Sequence, residues 1–257
     1  MLAISLLHAT YLNPSGPLRV RDIWLSRADN PDKIEYIVAM DESDEFALRQ
    51  TEGILRAINR PQDSLSTAVQ NWNSAARLAK GDVLFVISDD LEPPQGWDTQ
   101  LEILLAGRNP ATQDYAVKIQ DSPNDADTTL RHPVISRKFY DKLGLFDPSF
   151  RGVFCDNDIT LRALLASQIV DGRSICFSHV HPHFDREVQE SVSQQRINRA
   201  EEYVFGREIF NRKYSPFHRG LNLNTLTLPT ENARLDVGTR ARRIGIKLKR
   251  TSLRVQP

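Results

Sequence analysis

Cysteine is almost missing from this sequence: Cys155 and Cys176 are the two thiols in 257 residues. Two cysteines build neither a disulfide framework nor a cysteine-based zinc site, which fits a reducing compartment and the expectation of a cytoplasmic protein. Net charge is missing too, with 33 basic against 33 acidic residues, so no nucleic-acid partner and no acidic tail are expected. No apolar run reaches the length of a bilayer span. Ala3–Leu7 is too short for the apolar core of a signal peptide and has no basic segment before it. No internal repeat is visible. A chain of 257 residues accommodates one large α/β domain, or such a domain with an appendage.

What is present is alternation. Apolar strands are expected at Ala3–Leu7, Ile34–Met40, Ile54–Ile58, Val83–Ile87, Tyr115–Ile119, Val134–Ile135 and Ser174–Phe177. Helices are expected between them. One starts at Pro17, whose fixed φ suits a first turn. The clearest carries Leu65, Ala68, Val69, Trp72, Ala75, Ala76 and Ala79 at three- and four-residue steps, with Ser64 as its start cap and Gly81 at its end. Others follow Gly96-Trp97, cover Arg137–Leu143 and cover Asp156–Ala166. This order predicts an α/β fold, a mostly parallel Rossmann-like sheet flanked by helices, over residues 1–185. Residues 186–257 read as a helical extension, from Val188 to about Phe210, followed by a basic tail.

Chemistry concentrates at strand ends. The run Gly81-Asp82-Val83-Leu84-Phe85-Val86-Ile87-Ser88-Asp89-Asp90 is a strand buried on both faces that ends in two carboxylates. The carboxyl edge of an open α/β sheet is where ligands bind. Adjacent carboxylates repel unless a donor or cation sits between them, and a hard divalent ion with phosphate oxygens is the usual partner. The plainer reading is a solvated turn in which one Asp caps the next helix. Ile34–Met40 also ends in acid, at Asp41, with Asp44 and Glu45 read as a solvated loop. His179, His181 and His183 alternate along an extended segment, which puts their side chains on one face. An imidazole there could complete a metal shell beside Asp90; a surface loop and a zinc site are the other readings.

Three blocks, in order, resemble the family 2 glycosyltransferases of GT-A fold. The first is Asn73-Ser74-Ala75-Ala76-Arg77-Leu78-Ala79-Lys80-Gly81-Asp82, then Ser88-Asp89-Asp90, Pro94 and Gly96-Trp97, similar to the helix that leads into the family's acidic metal motif. The second is Gly144-Leu145-Phe146-Asp147 followed by Asp156-Asn157-Asp158-Ile159-Thr160-Leu161-Arg162, similar to the acceptor-side motif. The third is Ile34–Asp41, similar to the strand whose terminal Asp touches the base. The resemblance implies inverting sugar transfer from a nucleotide diphosphate sugar, a UDP-linked one first, to a saccharide or lipid-linked acceptor, assisted by Mn²⁺ or Mg²⁺. It implies Asp90 and His179 as metal ligands. Thr10, Asp41, Asn73 and Asp89 fall on the nucleotide side, and Asp156 becomes the general base. Asp156 also reads as a helix cap, and Asp158 as scaffold or acceptor contact, paired with Arg162 four residues on. Trp97 reads as a core or lid anchor, or as a sugar platform if it faces the cleft.

The chain departs from the family in three places. Leu7-His8-Ala9-Thr10 ends the first strand, Ser88 replaces the first Asp of the commonest metal motif, and Cys155 stands where a Glu usually precedes the catalytic Asp. Two rival functions therefore remain open: a metal-dependent nucleotidyltransferase or phosphohydrolase, and a catalytically inactive nucleotide-binding module. From Gly238 the tail holds Arg240, Arg242, Arg243, Lys247, Lys249, Arg250 and Arg254 with no acid. It reads as a solvated tail, a short packed segment, or a peripheral contact with an anionic membrane.

Overall fold

Each central strand sends alternate apolar side chains to opposite faces, so its sheet must be covered on both sides. The computed structural model of the chain describes residues 2–61, 64–123, 128–180, 187 and 190–218. His181, His183 and the basic tail lie outside the described residues. In chain order the elements are β1 (Ile4–Ala9), α1 (Gly16–Ser26), β2 (Ile34–Asp41), α2 (Glu45–Gln50), β3 (Arg56–Asn59), α3 (Ala68–Leu78), β4 (Val83–Ile87), β5 (Leu91–Glu92) and α4 (Trp97–Leu104). They continue as β6 (Tyr115–Gln120), β7 (Val134–Ser136), α5 (Arg137–Leu143), α6 (Cys155–Ala166), β8 (Gln168–Cys176), β9 (Ser178–His179), α7 (Val192–Ile197) and α8 (Ala200–His218).

Seven strands form one mixed sheet in the order β3-β2-β1-β4-β7-β6-β8. Every neighbouring pair is parallel except those made by β7, which runs antiparallel to both β4 and β6. The mostly parallel α/β sheet with a helical extension is thus the one expected. The chain moves outward from β1 to β3 and returns to β4 on the other side of β1, which opens a crevice at the carboxyl ends of β1 and β4. Leu84 and Val86 of β4 pack on one face with α3, α5, α6 and α8. Val83, Phe85 and Ile87 pack on the other, against Trp24 of α1 and Trp97 of α4. No helix among the described residues is long and apolar enough to cross a membrane.

Local chemistry shifts several expected boundaries. The cap of α3 is Thr67, not Ser64: Thr67 and Gln70 form a capping box, while the Ser66 amide is already held by Asp41. Ala79, not Gly81, closes that helix. Gly81 serves close packing instead, because a Cβ there would stand 2.7 Å from the Ser5 backbone nitrogen. Asp44 is no solvated loop residue. It is fully buried, caps the unexpected helix α2 by accepting from the Ala47 amide at 3.0 Å, and also holds the Leu12 amide at 2.6 Å. The expected helical extension is two helices, α7 and α8, and Phe210 and Tyr214 of α8 are buried in the same core as α3 and α6.

Asp158 ties α8 to α6. Its carboxylate accepts from Arg162 Nε at 2.7 Å, Lys213 Nζ at 2.6 Å and the Tyr214 hydroxyl at 2.7 Å. The Arg162 guanidinium continues to the Leu143 and Leu145 carbonyls. Removing one partner of such a buried network leaves uncompensated charge, at about 3–5 kcal/mol. Asp158→Ala is therefore expected to lower unfolding free energy by about that amount in urea titrations. Arg49→Ala breaks an exposed pair with Glu45 and is expected to cost less than about 1 kcal/mol. Equal losses would deny Asp158 its anchoring role.

Candidate active site

A cleft of about 960 Å³ opens over the carboxyl ends of β1 and β4, and Thr10, Asn13, Ser88, Asp89, Asp90, Arg131, His132, Asp156, His179, Gln194 and Tyr203 are among its walls. Asp89 stands on the β1 side. Its Oδ1 accepts from His8 Nε2 at 2.9 Å, Thr10 Oγ1 at 2.9 Å and Asn13 Nδ2 at 2.7 Å. Three donors on one oxygen fix this carboxylate in place.

Asp90 points the other way. Ser88 donates to its Oδ1, Gln194 of α7 donates to Oδ2 at 2.7 Å, and His179 Nε2 lies 3.4 Å from Oδ2. Pairing of Leu91 in β5 with His179 in β9 sets that imidazole beside the carboxylate. Burial pushes the Asp90 carboxyl up, but the His179 hydrogen bond and charge, with Ser88 and His132, outweigh it and hold it well below the usual range. For His179 burial acts downward, and its bond to Asp90 overcomes this and raises it.

A second imidazole completes the group. One ligand atom from each of Asp90, His132 and His179 lies within 4.8 Å of the other two. Two ligands of one ion stand at most about 4.4 Å apart at bond lengths near 2.2 Å, so small side-chain rotations suffice to close the set on a cation. Proton counting agrees. His132 Nδ1 faces the Asp121 carboxylate at 3.0 Å, which calls for the Nδ1–H tautomer and leaves a lone pair on Nε2. That Nε2 and Asp90 Oδ1 share one Ser88 hydroxyl, which carries a single proton. A cation would satisfy both acceptors at once. One carboxylate and two imidazoles suit a transition ion better than Mg²⁺, which prefers oxygen throughout.

Asp121 holds this arrangement from beneath. It is fully buried and accepts from Lys118 Nζ at 2.5 Å, from Arg131 Nη1 at 3.4 Å and from His132. Its backbone carbonyl accepts from His179 Nδ1 at 3.1 Å. Burial would raise the Asp121 carboxyl, but the His132 bond and the Lys118 charge keep it well below the ordinary range. Burial also lowers His132 against the opposing pull of Asp121.

Asp156 stands elsewhere on the same cleft wall. It is not the cap of α6; that position is Phe154, whose φ of +69° is a left-handed conformation unusual for a bulky side chain. Asp156 sits in the first turn, partly open to the cleft and otherwise enclosed by protein. This enclosure raises its carboxyl above the ordinary range, with the Arg131 charge acting in the opposite sense. Neighbouring Cys155 is a buried free thiol, pushed up by burial, and brings no charge to the cleft.

Of the residues singled out in the sequence, the fold brings Thr10, Asp89, Asp90, Asp156 and His179 to one cleft. The others have different surroundings. Asp41 is buried, with its oxygens on Ser43 and on the Ser66 amide. Asn73 uses both ends of its amide on the Phe146 backbone. Trp97 is a core anchor, fully buried, with its indole N–H on the Trp24 carbonyl at 3.0 Å. Asp158 is scaffold. Sequence reasoning missed His132 and Asp121, and the His-Pro pair before β7 was their faint signal.

No protein-family model matches the sequence, and no curated protein matches it. Solved structures do. A mannosyltransferase from Pyrobaculum calidifontis, solved with GDP-Man and Mn²⁺, superposes with a TM-score of 0.56 at 17% identity over 82% of this chain. S. aureus TarS, solved with UDP, gives 0.52 at 14% identity over 85% of this chain and 73% of its own. Glucosyl-3-phosphoglycerate synthase from Mycobacterium tuberculosis, solved with phosphoglyceric acid, gives 0.50 at 13% identity over 83% of this chain and 79% of its own. The fold is that of the GT-A glycosyltransferases. The chain spans 64% of the length of the mannosyltransferase, and likeness at these identities establishes the fold alone.

If the set is a cation site, Asp90→Asn and His132→Gln should each weaken Mn²⁺ binding by more than the roughly 10–100-fold typical of losing an outer-shell partner. Asp41→Asn should leave it unchanged. Isothermal titration calorimetry with Mn²⁺ checks this, with melting curves as the fold control. Wild-type affinity in either of the first two variants would remove that residue from the set.

Proposed function

We propose that the protein is a metal-dependent, inverting glycosyltransferase of the family 2 type, which moves a sugar from a nucleotide diphosphate donor to an acceptor hydroxyl. One observation carries the reading: the cation set Asp90, His132 and His179 and the desolvated carboxylate Asp156 line a single cleft at the switch point of a GT-A sheet. Asp90, His132 and His179 would hold Mn²⁺ or a similar ion. Such an ion supplies Lewis-acid neutralisation of the departing diphosphate.

The chain's own groups supply the rest. Thr10, Asn13 and Asp89 form a rigid polar ledge at the β1 end, suited to the ribose hydroxyls of a UDP-type nucleotide. Arg131 lines the same cleft and brings positive charge close enough to act on Asp156. Asp156 accepts the proton of the acceptor hydroxyl as that oxygen attacks the anomeric carbon from the face opposite the leaving group. A raised carboxyl makes it a better base than an ordinary aspartate. Its active form is the ionised one, so turnover should fall as pH drops through a value above the usual carboxylate range. The basic segment from Gly238 suits a peripheral contact with an anionic leaflet, which would bring lipid-linked acceptors to the cleft.

The test is a panel of UDP- and GDP-sugars with Mn²⁺ and saccharide or lipid-linked acceptors, with the product anomer read by NMR. An inverted glycoside is expected. Release of nucleoside monophosphate or phosphate without a glycoside would favour a phosphohydrolase instead. Asp156→Asn should keep donor affinity and lose about 10²–10⁴-fold in kcat; normal turnover in this variant would rule out the base. For the tail, full-length protein should sediment with anionic vesicles at low salt more than a version truncated at Val237. Equal sedimentation would dismiss the membrane contact.

A further inference from the structure

Both imidazoles of the cation set depend on one residue that the transfer reaction itself does not use. We propose that Asp121 is the positioning residue of this site: its side chain orients His132 and its backbone carbonyl orients His179, so that both rings present Nε2 to the same cation. The inference rests on the cation reading above and extends it to how the site is kept ready.

The geometry is specific. His132 is bound at Nδ1 by Asp121 Oδ2 at 3.0 Å. His179 is bound at Nδ1 by the Asp121 carbonyl oxygen at 3.1 Å. Both acceptors demand an N–H at Nδ1, which leaves His132 Nε2 with its lone pair and turns His179 Nε2 to Asp90, where a cation would take the place of its proton. The rings stand nearly perpendicular, at 83°, with centroids 5.0 Å apart. Asp121 brings little net charge to the site, because Lys118 Nζ at 2.5 Å and Arg131 at 3.4 Å accompany its Oδ1. Lys118 is itself 2% exposed, and such a buried ammonium accepts no proton, so it fixes which oxygen of Asp121 faces which partner. The cation set then carries one carboxylate and two neutral imidazoles, which leaves a divalent ion with net positive charge for an anionic ligand.

Asp121→Asn separates orientation from packing. Lys118 and Arg131 claim the single amide oxygen, so the NH₂ group turns toward His132 and donates to Nδ1. That forces the proton of His132 onto Nε2, where the cation should bind. In ¹⁵N-histidine spectra of the metal-free protein, with His132 identified by its loss in His132→Gln, the wild type should show the Nδ1–H tautomer and Asp121→Asn the Nε2–H tautomer. Mn²⁺ affinity should fall about 10–100-fold in this variant. If the isolated buried ammonium prevents folding, Lys118→Met/Asp121→Leu replaces the ion pair with apolar groups and should show the same loss of affinity. Wild-type affinity with an unchanged His132 tautomer in the folded variant overturns the positioning role. Absence of Mn²⁺ binding in the wild type overturns the cation reading and this inference with it, whereas binding by the wild type and the variant alike overturns the inference only.

Discussion

Two imidazoles serve one ion only when both rings are turned the same way, and a ring free to flip or change tautomer spends much of its time turned wrongly. In the proposed cation set the constraint is met by a buried carboxylate and its own peptide carbonyl, backed by the Lys118 ammonium. The pair Lys118–Asp121 is a weak source of stability, because the cost of taking both charges out of water offsets most of their attraction. Its value is directional. With Lys118 holding Oδ1, Oδ2 is left for His132, and the rest of the site follows from that choice.

The sheet supplies the meeting place. Thr10 follows β1, Asp89 and Asp90 follow β4, and Asp121 follows β6, so three parallel strands deliver polar groups to one edge. His179 arrives on β9, clipped to β5 immediately after the acidic pair. The extension closes the other side: Gln194 of α7 reaches Asp90, and Arg196 donates to the Leu65 carbonyl while lying over the Tyr11 ring. Residues far apart in the chain thus share one wall.

Much of this was legible in the sequence, for a physical reason. A run such as Val83–Ile87, five residues long and rich in Val and Ile, is too short for a buried helix and reads as a strand covered on both faces. Whatever follows a parallel strand must appear at the carboxyl edge, which is why Asp89 and Asp90 could be placed at the cleft from their position alone. His132 obeys the opposite rule. It precedes its strand, and in a wholly parallel sheet it would lie at the far edge; the reversal of β7 brings it back beside Ser88. Strand direction is decided by tertiary pairing and leaves no periodic mark. Asn73 and Asp41 illustrate the converse limit. Their polar atoms are taken by the Phe146 backbone and by Ser43 and Ser66, and the pairings with Phe146 and Ser66 join distant residues that no local pattern records. Asp44 looked like part of an acidic loop because a helix as short as α2 shows no recognisable period.

The reversal of β7 also decides where this protein can vary. Because β6 and β7 are antiparallel neighbours, the connection between them starts and ends at the binding edge, and the Asp121–His132 hydrogen bond joins residues eleven apart across its base. A loop stapled at its base can change length at small entropic cost, since closure entropy grows only slowly with the number of residues. The contacts of Asp121 to both imidazoles therefore do not depend on the length of chain between Pro123 and Thr128. Related sequences can differ in length there while the Asp121 contacts to His132 and His179 stay as they are.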